Sequence, residues 1–246
     1  MQNVNKKFGN SENHIKPDIF EISKFIDIFF SKTFQGFFHS VFQHYRHFLN
    51  NIFGGVAEKP YLCSMKKLTM LEMGRIDAST FKEADKMPLV IVLDNVRSLN
   101  NIGSVFRTSD AFRVESIYLC GISATPPSPE IHKTALGAED SVDWQYFEDT
   151  HKAVDNLKAQ GYCVLAIEQC QGSTMLDEWQ PDFESVKGYA VVMGNEVKGV
   201  QQSVVDMCDG CLEIPQYGTK HSLNVSVTTG LVIWDFFKAF EQVRKF

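Results

Sequence analysis

Apolar positions along this chain change period repeatedly, and each change marks a predicted element. Leu89-Val90-Ile91-Val92-Leu93 is an unbroken apolar run, the pattern of a central parallel strand covered on both faces. Beyond it the pattern predicts helix over 101–112, strand over 116–120, a Pro-rich loop over 125–129, helix over 130–136 and strand over 142–147. Helix over 150–160, strand over 162–167, strand over 189–193, helix over 201–207 and strand over 212–214 follow. Such alternation predicts an α/β fold, a parallel sheet with helices on both faces.

The stretch from 212 to 240 organises the remainder. A short apolar strand leads through a turn containing Gly218 to Ser222-Leu223-Asn224, which opens a long apolar helix reaching Phe240. Ser222 stands at the predicted N-cap, so a strand-to-helix junction offers free backbone N–H groups and a hydroxyl at one point. Ser226, Thr228, Thr229 and Gly230 interrupt the apolar positions of that helix, and such small residues predict packing on most of its sides.

Upstream, residues 1–16 are polar. Residues 19–53 carry Ile22, Ile26, Phe29, Phe37, Val41, Tyr45, Phe48 and Ile52 at helical spacing, which predicts one or two amphipathic helices. Lys24, Asp27, Lys32 and Arg46 exclude a membrane span there, and the stretch lacks the apolar core and cleavage site of a signal peptide. Gly54-Gly55 closes it and Met65 follows. Residues 1–64 are thus either a helical extension or a segment ahead of a functional start at Met65. Residues 65–87 read as a helical lead-in with Ser79 or Thr80 as a cap, and the α/β domain is assigned to 65–246.

Charge narrows the functional classes. The formal net charge is −6. Residues 1–64 carry seven Lys/Arg against five Asp/Glu, leaving 17 against 25 beyond them, so any binding of nucleic acid must use a local basic patch. Six cysteines show no disulfide framework, and no apolar run approaches the roughly 20 residues of a membrane span, which points to the cytoplasm. Cys208 and Cys211 have the spacing of a metal or redox pair, but a zinc site needs about two more ligands. They read as ordinary thiols at a helix-to-strand turn, and no metal is expected.

Known nucleotide folds do not fit. The first strand is not followed by G-x-G-x-x-G, which excludes a Rossmann fingerprint, and Gly194 to Gly199 lacks the G-K-[ST] of a P-loop. Gly194 and Gly199 still bracket a loop that would let backbone approach a ligand closely. His221 beside Ser222 finds no Asp/His pairing for a hydrolase triad.

Three ordered stretches carry a resemblance. Asn101-x-Gly103-x-x-x-Arg107-Thr108, Met193-Gly194-Asn195-Glu196-x-x-Gly199 and Ile214-Pro215-x-x-Gly218-x-x-x-Ser222-Leu223-Asn224-Val225-Ser226-Val227 resemble the three motifs of the SpoU-type (TrmH-like) RNA 2′-O-ribose methyltransferases. These belong to the SPOUT superfamily, and the similarity spans roughly 88–242. The third motif departs in having Gln216 where the family often has Met. The resemblance implies a C-terminal trefoil knot, S-adenosylmethionine as cofactor, tRNA or rRNA as substrate, and a homodimer whose active site uses both chains. Ile233, Trp234, Phe236, Phe237 and Phe240 of the last helix are the expected dimer surface.

Carried over by motif, Ile167, Gly194, Asn195, Gly199, Ile214, Gln216 and Leu223 would hold the cofactor through backbone amides and apolar contact, with no protein charge required opposite the sulfonium. Asn101, Arg107, Glu196, Ser222 and Asn224 would form the catalytic group. Glu196 would orient the loops and pair with Arg107, and Asn224 with Ser222 would hydrogen-bond the target ribose or Arg107. Supplying neutral arginine at pH 7 would cost at least roughly 7 kcal/mol, so Arg107 is expected to act charged, as a clamp on phosphate and developing alkoxide. The alternative is a non-catalytic knotted RNA-binding or assembly factor; the presence of Arg107, Glu196, Ser222 and Asn224 together speaks against it.

Overall fold

The structure is a computed structural model that describes residues 66–69 and 71–244. The amphipathic helices expected over 19–53 lie outside the described residues. By its contacts the chain divides after Thr69, and the α/β elements belong to the second unit.

The unit opens with α1 (Ala78–Glu83), β1 (Met87–Asp94), α2 (Leu99–Ala111), β2 (Val114–Cys120), α3 (Pro129–Ala135), α4 (Ala138–Ser141) and β3 (Asp143–Phe147). It continues through α5 (Thr150–Ala159), β4 (Tyr162–Ile167), β5 (Thr174–Met175), β6 (Gly188–Met193), α6 (Gln202–Val205), β7 (Gly210–Glu213) and α7 (Val225–Val243). The seven strands form one sheet in the order β3-β2-β1-β6-β4-β7-β5, and every pairing is parallel. The strands predicted at 89–93, 116–120, 142–147, 162–167, 189–193 and 212–214 are all present, with ends shifted by at most two residues. The two-residue β5 and the single turn α4 have no periodic signal and were not anticipated.

The alternation of side chains along β1 explains why its sequence is apolar throughout. Leu89, Ile91 and Leu93 enter one core with Ile102 and Phe106 of α2 and Val232 and Phe236 of α7. Val90 and Val92 enter the other core with Ala153, Val154 and Leu157 of α5 and Val204 of α6. Period-2 geometry thus sends successive residues to opposite layers, each covered by helices.

Two caps differ from expectation. Asp77, not Ser79 or Thr80, caps α1, its Oδ1 accepting from the Thr80 amide at 2.8 Å and the Ser79 hydroxyl at 2.6 Å. Asn224, not Ser222, caps α7, accepting from the amides of Ser226 at 2.9 Å and Val227 at 3.4 Å. Ser222 lies two residues ahead of the cap on an exposed loop. Both choices are good capping types, and the register of the helix decides between them.

Nor is α7 packed on most sides. Val225, Thr229, Val232, Ile233, Phe236 and Phe240 are buried, while Val227, Leu231 and Trp234 are exposed. Ile233, Phe236 and Phe240 therefore belong to the core rather than to a dimer surface. Phe236 packs against Trp179, Phe183 and Tyr189 with ring centroids 5.1, 6.4 and 5.4 Å away. A Cβ added to Gly230 would meet only Thr108 Cγ2 at 4.0 Å, so no close backbone approach demands glycine there.

Candidate active site

Parallel strands bring all their C-terminal ends to one edge, the edge where open α/β sheets bind ligands. A cleft of about 900 Å³ lies there, at the ends of β4, β6 and β7. Ile167 ends β4, Gly194 follows β6, and Ile214 follows β7; all three line the cleft. Asn195, Gly199, Gln216 and Leu223 line it as well, so the seven residues assigned to the cofactor share one cavity.

The loop from Asn195 to Gly199 is closed on itself. Asn195 N–H donates to Gly199 O at 3.0 Å and Gly199 N–H to Asn195 O at 2.9 Å, while Asn195 Oδ1 accepts from the amides of Val197 and Lys198. A Cβ on Gly194 would sit 2.2 Å from backbone atoms of Gly199 and Val200, and Gly199 itself adopts φ +68°. Close approach and positive φ together explain why glycine stands at both ends.

A polar chain joins the three motif segments. Asn224 Nδ2 donates to Asn101 Oδ1 at 3.2 Å, and Asn101 Nδ2 donates to Glu196 Oε1 at 3.0 Å. Glu196 also accepts from the backbone amides of Arg97 and Ser98, each at 3.1 Å. Burial works against its charged form, but the bonds from Arg97, Asn101 and Ser98 outweigh it and hold the carboxyl below its ordinary value. With these donors engaged, Glu196 does not pair with Arg107 of its own chain.

Arg107 lies elsewhere. It is exposed on α2 and lines a separate cleft of about 620 Å³ that shares no residue with the first. Helix geometry gives the reason: six residues after Asn101 is about 600°, which leaves Arg107 roughly 120° around the helix and about 9 Å along it. Within one chain, then, Asn101, Glu196, Ser222 and Asn224 cluster at or beside the first cleft and Arg107 does not. The expected hydrogen bond between Asn224 or Ser222 and Arg107 is absent among the described residues.

Sequence reasoning missed Glu168 and Asp94. Glu168, at the end of β4, accepts from Val200 N–H at 3.0 Å and Gln169 N–H at 2.9 Å, pinning the glycine loop to the sheet. Its position at the carboxyl end of a parallel strand was the available signal. Asp94 is fully buried and takes four bonds. Its Oδ1 accepts from Asn95 Nδ2 at 2.8 Å, Thr150 Oγ1 at 2.6 Å and Gln201 Nε2 at 3.0 Å, and its Oδ2 accepts from Gln201 N–H at 3.1 Å. It thereby anchors the chain just past the glycine loop.

The cleft is acidic as well as apolar. Glu168, Glu196, Asp206 and Glu213 line it against Lys198, and no arginine does. That balance suits a cation with an apolar part and disfavours a polyphosphate. Cys208 and Cys211 also line it, and burial pushes both thiols up to about 12. Among the described residues no group of three His, Cys, Asp or Glu side chains could hold a metal ion. No helix among them is long and apolar enough to cross a membrane. One Asp-His-Ser alignment does occur: His151 Nδ1 lies 2.6 Å from Asp149 Oδ1 and its Nε2 lies 2.8 Å from Ser203 Oγ. None of the three lines either cleft.

Comparison with known proteins decides the family. The model of the SpoU rRNA methylase family matches residues 88–234, more than half of the chain. The chain belongs to that family. A relative from Staphylococcus haemolyticus, assigned to the TrmH family of tRNA/rRNA methyltransferases, is 28% identical over 162 residues. That match covers 66% of this chain and 63% of the relative, so the SpoU-family chain spans less than two thirds of the relative's length. A structure from Porphyromonas gingivalis, assigned to the TrmH family of RNA methyltransferases, superposes with a TM-score of 0.54 at 26% identity, covering 62% of this chain and 60% of that one. An AdoMet-bound rRNA methyltransferase from Sinorhizobium meliloti shares the fold, with a TM-score of 0.58, 24% identity, and coverage of 67% and 61%.

Proposed function

We propose that residues 65–246 form an S-adenosylmethionine-dependent methyltransferase that modifies a ribose 2′-hydroxyl of tRNA or rRNA. The observation that carries this reading is the polar chain Asn224–Asn101–Glu196, which ties the three motif segments together beside one cavity. The cofactor named for the Sinorhizobium relative fits that cavity: Ile167, Ile214 and Leu223 offer an apolar wall for adenine, and the surplus of carboxylates suits a sulfonium. A volume of about 900 Å³ lies within the usual range for small-molecule sites.

When bound, S-adenosylmethionine supplies a methyl carbon already activated by its sulfonium. The chain's part is to position, since in-line transfer needs no covalent enzyme intermediate. Glu168 and Asp94 hold the glycine loop, Glu196 fixes the start of α2, and Asn224 and Ser222 present hydrogen-bonding groups at the mouth of the cleft. Arg107, charged, clamps phosphate and developing alkoxide. Because Arg107 faces away from its own chain's cleft, the reading requires a homodimer in which it serves the partner's site. The exposed Val227, Leu231 and Trp234 of α7 provide an apolar face for that contact. A C-terminal knot, as the family resemblance implies, would hold the loops of the second and third motifs together.

The test is transfer of labelled methyl from S-adenosylmethionine to tRNA and to rRNA, followed by nuclease digestion and mass spectrometry. A 2′-O-methylated nucleoside is expected. Cofactor and RNA binding with no transfer would replace this reading with the non-catalytic factor, and label on a base would refute the ribose assignment.

A further inference from the structure

The segments that follow β4 and β7 both line the first cleft, and they are held in very different ways. Residues 168–176, which follow β4 and include β5, are fastened along β7. Glu168 N–H donates to Leu212 O at 3.1 Å, Cys211 Sγ to Glu168 O at 3.2 Å, Ser173 Oγ to Glu213 Oε2 at 2.7 Å and Leu176 N–H to Glu213 O at 2.8 Å. The Glu168 carboxylate in turn accepts from the amides of Gln169 at 2.9 Å and Val200 at 3.0 Å, so Gln169 stands on a fixed post.

Residues 215–223 have no such fastening. The segment is fixed where it starts, at Ile214 against the core, and where it ends, at the Asn224 cap of α7. Between those points only His221 makes a hydrogen bond among the described residues, its carbonyl accepting from Gln169 Nε2 at 3.0 Å. Apolar packing does not replace the missing bonds. Tyr217 is 97% exposed, Thr219, Lys220, His221 and Ser222 are exposed as well, and a Cβ on Gly218 would meet nothing within 4 Å. Yet this segment supplies Gln216, His221, Ser222 and Leu223 to the wall of the cleft.

We propose that Gln169 is a positioning residue, a latch that holds residues 215–223 as a gate of the cleft and sets how fast the cofactor leaves it. The latch rests on the cofactor reading above and adds how that site is kept closed. A segment with rigid ends and a single tie between them opens by breaking that tie. One side-chain hydrogen bond corresponds to about three- to tenfold in the population of the open form. Gln169 is exposed and its amide bonds main chain, so the latch is made and broken without disturbing either core. Opening would also carry Ser222 and Leu223 away from the cleft, which confines methyl transfer to the latched form.

The experiment uses the full chain with Gln169→Glu, which keeps the shape but donates nothing, and Gln169→Lys, which keeps a donor of similar reach. Chymotrypsin cleavage after Tyr217, identified by mass spectrometry, reads the open population when opening and closing outpace cutting. Release of S-adenosylmethionine is followed by surface plasmon resonance. Gln169→Glu should speed both cleavage of the free protein and release of the cofactor by about three- to tenfold, while Gln169→Lys should keep both within about twofold of the unmodified protein. Bound cofactor should suppress the cleavage, and the unfolding temperature should hold in both variants. Charge alone predicts the opposite order, because S-adenosylmethionine carries a net positive charge that an added carboxylate would retain and an added ammonium would repel. That order would overturn the latch. Unchanged cleavage and release in Gln169→Glu would overturn it too, as would resistance to chymotrypsin in all three proteins, since more than Gln169 would then hold the segment. If the cleavage rates follow the expected order but the unmodified protein binds no S-adenosylmethionine, the latch stands and the cofactor reading fails.

Discussion

Replacing Asp94 with asparagine keeps the shape of a fully buried side chain and removes its charge. Its Oδ1 now accepts from Asn95, Thr150 and Gln201 side chains, and its Oδ2 accepts from the Gln201 amide at 3.1 Å. With the amide oxygen at the three-donor position, the new NH₂ faces the Gln201 N–H and leaves that donor unsatisfied. Losing charge assistance and orphaning one buried donor costs about 3 kcal/mol. For a domain of this size that corresponds to a fall of about 6–12 °C in unfolding temperature. Thermal unfolding followed by circular dichroism reads it, with Thr150→Val as a control that removes a single donor and should cost about 1 kcal/mol. Because Gln201 stands just beyond the glycine loop, calorimetry should also show weaker cofactor binding by Asp94→Asn. Unfolding within about 2 °C of the unmodified protein would refute the anchor, since that corresponds to less than about 1 kcal/mol.

Three further outcomes follow from the site. Gly194→Ala would place a Cβ 2.2 Å from the backbone of Gly199 and Val200 and should abolish cofactor binding in calorimetry while the sheet stays folded. Glu196 has a carboxyl pKa lowered from 4.5, so the bonds it makes stabilise fully above that value and are lost as pH falls through the lower folded value. The difference in unfolding temperature between the unmodified protein and Glu196→Gln should therefore be constant at neutral pH and shrink below about pH 4.5; a constant difference down to pH 3 would contradict it. Arg107→Ala should lower methyl transfer by about 100-fold to 1000-fold with cofactor affinity unchanged, as read by initial rates and calorimetry.

The parallel sheet was legible because a strand buried on both faces must be apolar at every position, as Leu89 to Leu93 is. That Ile167, Gly194, Asn195, Gly199, Ile214, Gln216 and Leu223 share one cleft was legible through the motif resemblance and the rule that ligands gather at the carboxyl ends of strands. What stayed hidden depends on distant partners. Asp94 bonds Gln201 across 107 positions and Glu168 bonds Val200 across 32, and no local pattern announces either. Ser222 and Asn224 are both good caps, and only helix register separates them. The burial of Ile233, Phe236 and Phe240 was obscured because α7 is apolar nearly all round, leaving no polar stripe to mark its outer face. Arg107 was placed correctly on its helix, but its motif neighbours in sequence point to a different cleft because of their phase around that helix.

Mixing two inactive variants tests this account most directly. Arg107→Ala retains an intact cofactor cleft, and Gly194→Ala retains Arg107, so neither homodimer should transfer methyl groups. If Arg107 of one chain serves the cleft of the other, co-refolding equal amounts restores one intact site per mixed dimer, and activity on RNA should return to about a quarter of the unmodified value. Mixed dimers that form, as shown by mass spectrometry, yet remain inactive would contradict an active site built from two chains.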